Sequence, residues 1–102
     1  MLRLSELAQA LEAPLQGDDA GFHGVSTDTR KLAPRQLYVA LRGDNFDGHE
    51  FLRKAASLGA AGALVEQAQA VDLPQIVVED SLVGLQRAAA AWRAQFSMPV
   101  VG

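Results

Sequence analysis

The 102-residue chain contains no cysteine. That removes disulfide frameworks, thiolate nucleophiles and cysteine-based metal sites from consideration, and it is compatible with a reducing compartment. Histidine is scarce too: His23 and His49 are the only two, and no ligand spacing relates them, so no metal centre is expected. The formal net charge is -3 and there is no basic stripe, which argues against nucleic acid as a partner. The longest apolar stretches fall well short of a membrane span. The opening Met1-Leu2-Arg3-Leu4-Ser5-Glu6 lacks the sustained apolar core and small-residue cleavage site of a leader. The chain therefore reads as a soluble, unprocessed cytoplasmic protein without membrane insertion. No Gly-x-x-x-x-Gly-Lys-Ser/Thr phosphate loop occurs anywhere.

What is present is an apolar framework, 49% hydrophobic, long enough for one domain with its own core. Ser5 is a candidate N-cap for a first helix, with Leu7, Ala8 and Leu11 at helical spacing until Pro14. Residues 15–21 carry turn chemistry, and Phe22 to Ser26 form a short extended candidate. The continuous apolar run Leu37-Tyr38-Val39-Ala40-Leu41 suits a strand covered on both faces. Asp47 can cap a helix through Glu50, Phe51, Leu52, Ala55, Ala56 and Leu58, with Gly59 as its stop. Ala60 to Val65 reads as the next strand. The grammar then repeats: Gln75 to Val78 is a strand, Glu79-Asp80 a cap, and Leu82, Leu85, Ala89, Trp92 and Phe96 mark one face of a longer helix. Pro99 to Gly102 has the composition of one more strand. Strand, acidic turn, helix, strand, occurring twice, predicts a single α/β layered domain with a mixed, partly parallel sheet flanked by helices.

Two polar motifs interrupt this framework, each directly after a predicted strand, where ligands settle in such sheets. The first is Ser26-Thr27-Asp28-Thr29-Arg30. Its hydroxyls and carboxylate can close turns on local backbone groups, and the Arg30 guanidinium can pair with Asp28, with Asp47 or with a phosphate. The second is Gly43-Asp44-Asn45-Phe46-Asp47-Gly48-His49. Here two glycines permit close backbone approach, Asn45 offers a paired donor and acceptor, and Phe46 can either stack on a planar base or fold back onto its own domain. Asp47 is read as a helix cap, and His49, in the first turn of its helix, as a neutral hydrogen-bonding group. No nucleophile, base and orienter set emerges, because Ser57, Ser81 and Ser97 each have a local capping or surface explanation. No catalytic residue is assigned.

In order and spacing, these residues resemble the N-terminal domain of the Mur ligases. The resemblance runs from Val25–Arg30, through Leu37–Gly43 and Phe46–His49, to Leu73–Asp80, nearly the whole chain. It is nearer to the MurF-type branch, which adds D-alanyl-D-alanine, with the MurE-type branch as the alternative within the family. The resemblance implies a three-domain parent enzyme of peptidoglycan precursor synthesis, whose first domain holds the uridine diphosphate end of UDP-MurNAc-peptide. Residues 1–102 would be that domain. It would be inactive alone and hold no cofactor, because ATP and Mg2+ belong to the absent central and C-terminal domains, the ATP loop beginning just after Val100-Val101-Gly102. The resemblance places substrate contacts at Thr27, Thr29, Asp44, Asn45 and Phe46, with Ser26, Asp28, Arg30, Gly43, Asp47, Gly48 and His49 in support. Asp44, which suits a phosphate badly, would face ribose or solvent. The chain departs from the family in having Pro34-Arg35 where Pro-Gly is usual. Arginine dislikes the positive φ of a type II turn, so a type I turn is expected there. From another class, the alternative is a free-standing interaction module in which the same motifs only stabilise turns.

Overall fold

The computed structural model describes residues 2–41 and 47–96. The expected strand at Pro99 to Gly102, and Gly43, Asp44, Asn45 and Phe46 of the second motif, lie outside the described residues. Helix α1 (Leu4–Leu11) follows the short strand β1 (Leu2–Arg3), and its apolar stripe Leu4, Leu7, Ala8 and Leu11 is buried throughout. Its cap differs from the sequence expectation. Arg3, extended, takes the N-cap position and gives its N–H to the Glu6 carboxylate at 3.0 Å. Ser5 already lies inside the helix. Its N–H (2.9 Å) and hydroxyl (2.8 Å), together with Arg3 Nε (2.8 Å), all converge on the carboxylate of Asp19. Orphan donors of the first turn are thus satisfied from the following loop, the Ser5 N–H by Asp19 and the Leu4 N–H by the Ala20 carbonyl. Such a long-range cap leaves no local sequence signal. The helix ends on Glu12, whose left-handed φ of 55° allows Glu12 N–H and Ala13 N–H to return to the carbonyls of Gln9 and Ala8, a Schellman closure.

The main sheet has the order β2-β7-β6-β5-β4, built from β2 (Leu15–Gln16), β4 (Val25–Ser26), β5 (Leu37–Val39), β6 (Gly62–Val65) and β7 (Gln75–Val77). Strands β4, β5, β6 and β7 are parallel, and β2 runs antiparallel along the β7 edge. The mixed, partly parallel sheet expected from the sequence is therefore what forms. A separate ribbon pairs β1 with β3 (Gly21–Phe22). The expected extended segment from Phe22 to Ser26 is split between these two sheets. Gly24, at φ 107°, breaks it, and each half finds a different partner.

Parallel strands are buried on both faces, and the alternation of side chains divides the core accordingly. Leu37, Val39, Leu64 and Ile76 join α1 and α3 (Ser81–Phe96) in one cluster with Phe22 and Ala88. Tyr38, Ala40, Ala63 and Val65 face the other way, onto Leu52 and Ala55 of α2 (Leu52–Ser57) and onto Leu32 and Leu73. As expected, α2 stops at Gly59, whose φ is 89°. Entry to α3 is capped by Asp80, which accepts the N–H groups of Leu82 (2.9 Å) and Val83 (3.2 Å). In α3, Leu85 and Trp92 of the expected face pack against the first core cluster, but Leu82 does not. Ser81, Gly84 and Ala88 are buried, whereas Leu82 is 54% exposed. Small residues let the helix settle onto β6: a Cβ on Gly84 would meet Leu64 at 2.7 Å. Trp92 stacks on Phe22 with ring centroids 5.7 Å apart, joining α3 to the β1–β3 ribbon.

Between β6 and β7 the chain crosses over through residues 66–74 without a helix. The buried amide of Gln75 organises this crossover: its Oε1 accepts Gln69 N–H at 2.7 Å, and its Nε2 donates to the carbonyls of Gln69 (2.9 Å) and Leu73 (3.3 Å). A second side chain from the sequence analysis behaves unexpectedly at the Pro34-Arg35 turn. Arg35 adopts φ 69°, and Gln36 N–H reaches Ala33 O at 3.3 Å. The glycine-type turn is kept, with arginine in the left-handed position, instead of switching to type I. Its backbone is held from both sides: Arg35 N–H donates to Gly59 O and Arg35 O accepts His23 N–H.

Two outcomes follow from these constraints. Replacing Arg35→Gly releases left-handed strain and is expected to raise stability by about 1 kcal/mol in urea denaturation, while Arg35→Ala, equally strained, stays near the parent. Parent-like midpoints for both variants would show that no strain is stored at this turn. For Asp19, the Arg3 guanidinium, then the Ser5 N–H and hydroxyl, hold the carboxyl down to about 2 from the ordinary 3.8. A depressed carboxyl contributes stability that is complete above its unfolded value and disappears as pH falls through its folded one. Asp19→Asn should therefore flatten the loss of stability between about pH 4 and about pH 2. Superimposable acid limbs for parent and variant would remove Asp19 as a contributor.

Candidate functional site

Because Ser26 pairs with Tyr38 across β4 and β5, the two strands deliver their carboxyl ends to the same place. After β4, the first polar motif folds back on itself. Ser26 Oγ donates to Asp28 O (3.1 Å) and accepts Asp28 N–H (3.2 Å). Asp28 Oδ1 then accepts Arg30 N–H at 2.9 Å, an Asx turn. The Arg30 guanidinium forks onto the same carboxylate, Nε at 3.2 and 3.3 Å and Nη2 at 3.0 Å. This pairing holds the Asp28 carboxyl below its usual range and raises the guanidinium further. Of the partners open to Arg30 on sequence grounds, Asp28 is the one it takes. Ser26, Asp28 and Arg30 thus shape the turn.

The second motif re-enters the described structure at Asp47, and its residues brace the far side of the same strand end. Gly48 N–H donates to Leu41 O at 2.7 Å, and the Tyr38 hydroxyl donates to Gly48 O at 2.9 Å. The contact is close enough that a Cβ on Gly48 would stand 2.9 Å from Ala40 Cα and from the backbone of Leu41. Tyr38 is almost fully buried. Burial first, then the carboxylates of Asp28 and Asp47, push its phenol up to about 12, so it remains a donor. Asp47 caps the 3-10 turn Gly48–Phe51 by accepting His49 N–H at 3.0 Å. Its Oδ1 also lies 2.6 Å from His49 Nδ1. On the other side of the ring, His49 Nε2 accepts Glu66 N–H at 3.0 Å. A backbone N–H can only donate, so Nε2 is bare and Nδ1 carries the proton. His49 is a neutral strut between Asp47 and the end of β6, the role the sequence suggested.

Between the two braced strand ends opens a cleft of about 510 Å3, lined by Thr27, Asp28, Thr29, Arg30, Tyr38, Leu41, Phe51 and Lys54. Thr29 is 8% exposed, and its hydroxyl has no hydrogen-bond partner among the described residues. A buried hydroxyl without a partner costs free energy that a bound polar ligand can recover. Thr27, half-buried, lines the cleft beside it. The structure therefore brings Thr27 and Thr29 together, sets Ser26, Asp28 and Arg30 behind them as a scaffold, and uses Asp47, Gly48 and His49 as a brace. A larger hollow of about 740 Å3, between the end of α1 and the start of α3, contains no residue of either motif. It lies on the opposite helical layer.

Phe51 and Lys54 were not singled out by sequence reasoning. The periodicity placed Phe51 and Leu58 on the core stripe of α2, yet each is 36% exposed. Phe51 turns toward the cleft, with Lys54 one turn later beside it. Their i, i+3 spacing just after the second motif was the available signal. Among the described residues, no group of three or more His, Asp or Glu is placed to hold a metal ion, and no helix is long and apolar enough to cross a membrane.

Comparison with known proteins agrees with this architecture. The sequence profile described as "Mur ligase family, catalytic domain" matches residues 21–93, from β3 into α3. The chain is 43% identical over 98 residues to "UDP-N-acetylmuramoyl-tripeptide--D-alanyl-D-alanine ligase" of Escherichia coli (strain K12), covering 96% of this chain and 22% of that protein. The chain belongs to the Mur ligase family. The protein of the same name from Synechocystis sp. is 38% identical over 88 residues, covering 83% of this chain and 19% of its own length. Among solved structures, a crystal structure of MurF from Acinetobacter baumannii superposes with a TM-score of 0.75 at 26% identity, covering 89% of this chain and 21% of that one. The fold is thus that of a MurF segment, and the chain spans about a fifth of the length of these Mur ligases.

The tautomer of His49 provides a direct check on the brace. Nitrogen NMR of the imidazole is expected to show a protonated Nδ1 and an unprotonated Nε2 near neutral pH. The reverse pattern would break the proposed link between Asp47 and β6.

Proposed function

We propose that this chain is the N-terminal, substrate-anchoring domain of an ATP-dependent amide ligase of peptidoglycan precursor synthesis, holding the uridine diphosphate end of UDP-MurNAc-peptide in the cleft between β4, β5 and the Phe51–Lys54 wall. The observation that carries this reading is Thr29: a buried hydroxyl, unpartnered among the described residues, at the carboxyl end of a parallel strand in a Mur ligase fold. That is where ligands of open α/β sheets are held. The names of the relatives support the D-alanyl-D-alanine-adding branch over the MurE-type branch.

On this reading Thr27 and Thr29 touch the nucleotide. Asp44, Asn45 and Phe46, outside the described residues, join them on the strength of the family resemblance. The parent reaction would have ATP phosphorylate the peptide carboxylate and the D-Ala-D-Ala amine attack the acyl phosphate, releasing ADP and phosphate. ATP and Mg2+ would be held by the remaining four-fifths of a full-length ligase, since this sequence carries no phosphate loop. Residues 1–102 alone would bind and not turn over. Their contribution is positional: gripping a distant nucleotide handle supplies binding energy that orients a carboxylate reacting elsewhere.

Thr29→Val keeps shape and removes the hydroxyl. The variant is expected to melt as the parent does and to bind UDP-MurNAc-peptide about tenfold more weakly in calorimetric or amide-NMR titration, the loss of one ligand hydrogen bond. Equal affinity in parent and variant would exclude Thr29 from the site.

A further inference from the structure

Resting on the anchoring role above, we infer that Lys54, and not Arg30, is the cation that recognises the diphosphate, and that it sets the preference of the cleft for a nucleoside diphosphate over an uncharged nucleoside. Among the described residues, three ionisable side chains line the cleft besides the buried Tyr38 phenol: Asp28, Arg30 and Lys54. Arg30 carries a fork of donors that suits a phosphate as well as a carboxylate. The structure spends that fork internally. Both Nε and Nη2 lie on the Asp28 carboxylate. Turning Arg30 toward a phosphate would strip Asp28 of its partner and leave a bare carboxylate on the wall facing an anion. As a pair, Asp28 and Arg30 bring no net charge to the cleft. Lys31 adds to the positive field at Asp28 but does not line the cleft.

Lys54 forms no ion pair among the described residues. It stands on α2, one turn beyond Phe51, where it lines the cleft together with residues of the Ser26–Arg30 turn. A compact ammonium on a flexible four-carbon stem suits a diphosphate, whose charge is spread over many oxygens and needs no single approach angle. The ring of Phe51 and the side chain of Leu41 give the same wall an apolar stretch for the uncharged part of the ligand. Thr27 and Thr29 complete the polar side. Among the described residues, the cleft thus has one uncommitted positive charge, at one position.

The test titrates the parent chain, Lys54→Gln and Lys54→Arg with UDP and with uridine, at low and at high salt, with urea midpoints confirming that the exposed Lys54 can be replaced without unfolding. Lys54→Gln is expected to weaken UDP binding about tenfold and flatten its salt dependence, leave uridine unchanged, and be largely rescued by Lys54→Arg. If Lys54→Gln binds UDP as the parent does, Lys54 is not the diphosphate cation, while the anchoring role stands. Equal losses for UDP and uridine would make Lys54 a general wall residue and overturn the charge assignment. Were the parent to bind neither ligand, the anchoring role itself would fall, and this inference with it.

Discussion

The buried phenol of Tyr38 is the contact on which the rest of the site depends. Tyr38 sits in the middle of β5, packed beneath α2 in the second core cluster, and its hydroxyl reaches the carbonyl of Gly48. With the Gly48 N–H on Leu41 O, it fixes where the chain returns to the sheet and so the direction in which the 3-10 turn and α2 depart. That direction aims Phe51 and Lys54 at the cleft. A core residue therefore sets the position of this cleft wall, and burial keeps its hydroxyl a donor.

Much of this was legible in the sequence, for identifiable reasons. The run Leu37–Leu41 announced a strand covered on both faces, since only such a strand can afford side chains that are apolar on alternate sides. Asp47, Gly59 and Asp80 marked helix ends through local chemistry. The family emerged from motif order and spacing together. What was not legible was set by partners distant along the chain. Asp19 caps α1 from the following loop, so the nearest hydroxyl, Ser5, drew attention it did not merit. In α3 the expected face held for Leu85 and Trp92, which pack on the core, but not for Leu82, because the small residues Gly84 and Ala88 let the helix approach β6 closely. The Pro34-Arg35 turn took the left-handed backbone that glycine favours, since backbone hydrogen bonds to Gly59 and His23 hold Arg35 in place from both sides.

At the site, the sequence pointed to the strand ends between which the structure opens a cleft. Thr27 and Thr29 line the cleft, and Arg30, read from the sequence as a supporting residue able to pair with Asp28, makes that pair. Lys54 passed unnoticed among ordinary helix-surface charges. Whether a charged residue is available to a ligand depends on what its neighbours have already claimed, and that is a property of three-dimensional pairing. Residue type alone does not contain it. His49, read from the sequence as a hydrogen-bonding group, is occupied on both ring nitrogens.

The helix-free crossover from β6 to β7 gives the domain an uneven mechanical character. On one face the sheet is roofed by α1 and α3; on the other, α2 covers only part of it and residues 66–74 close the remainder through Leu73, Val71 and the amide of Gln75. A roof of loop backbone opens with less loss of buried apolar surface than a helix does. Fluctuations should therefore enter the fold from this side, uncovering Val65 and Leu73 while the α1–α3 layer stays closed. Amide exchange in the crossover would then be governed by small local openings, and exchange in β6 by unfolding of the whole. The domain is stiff where it meets its long helix and yielding one strand away.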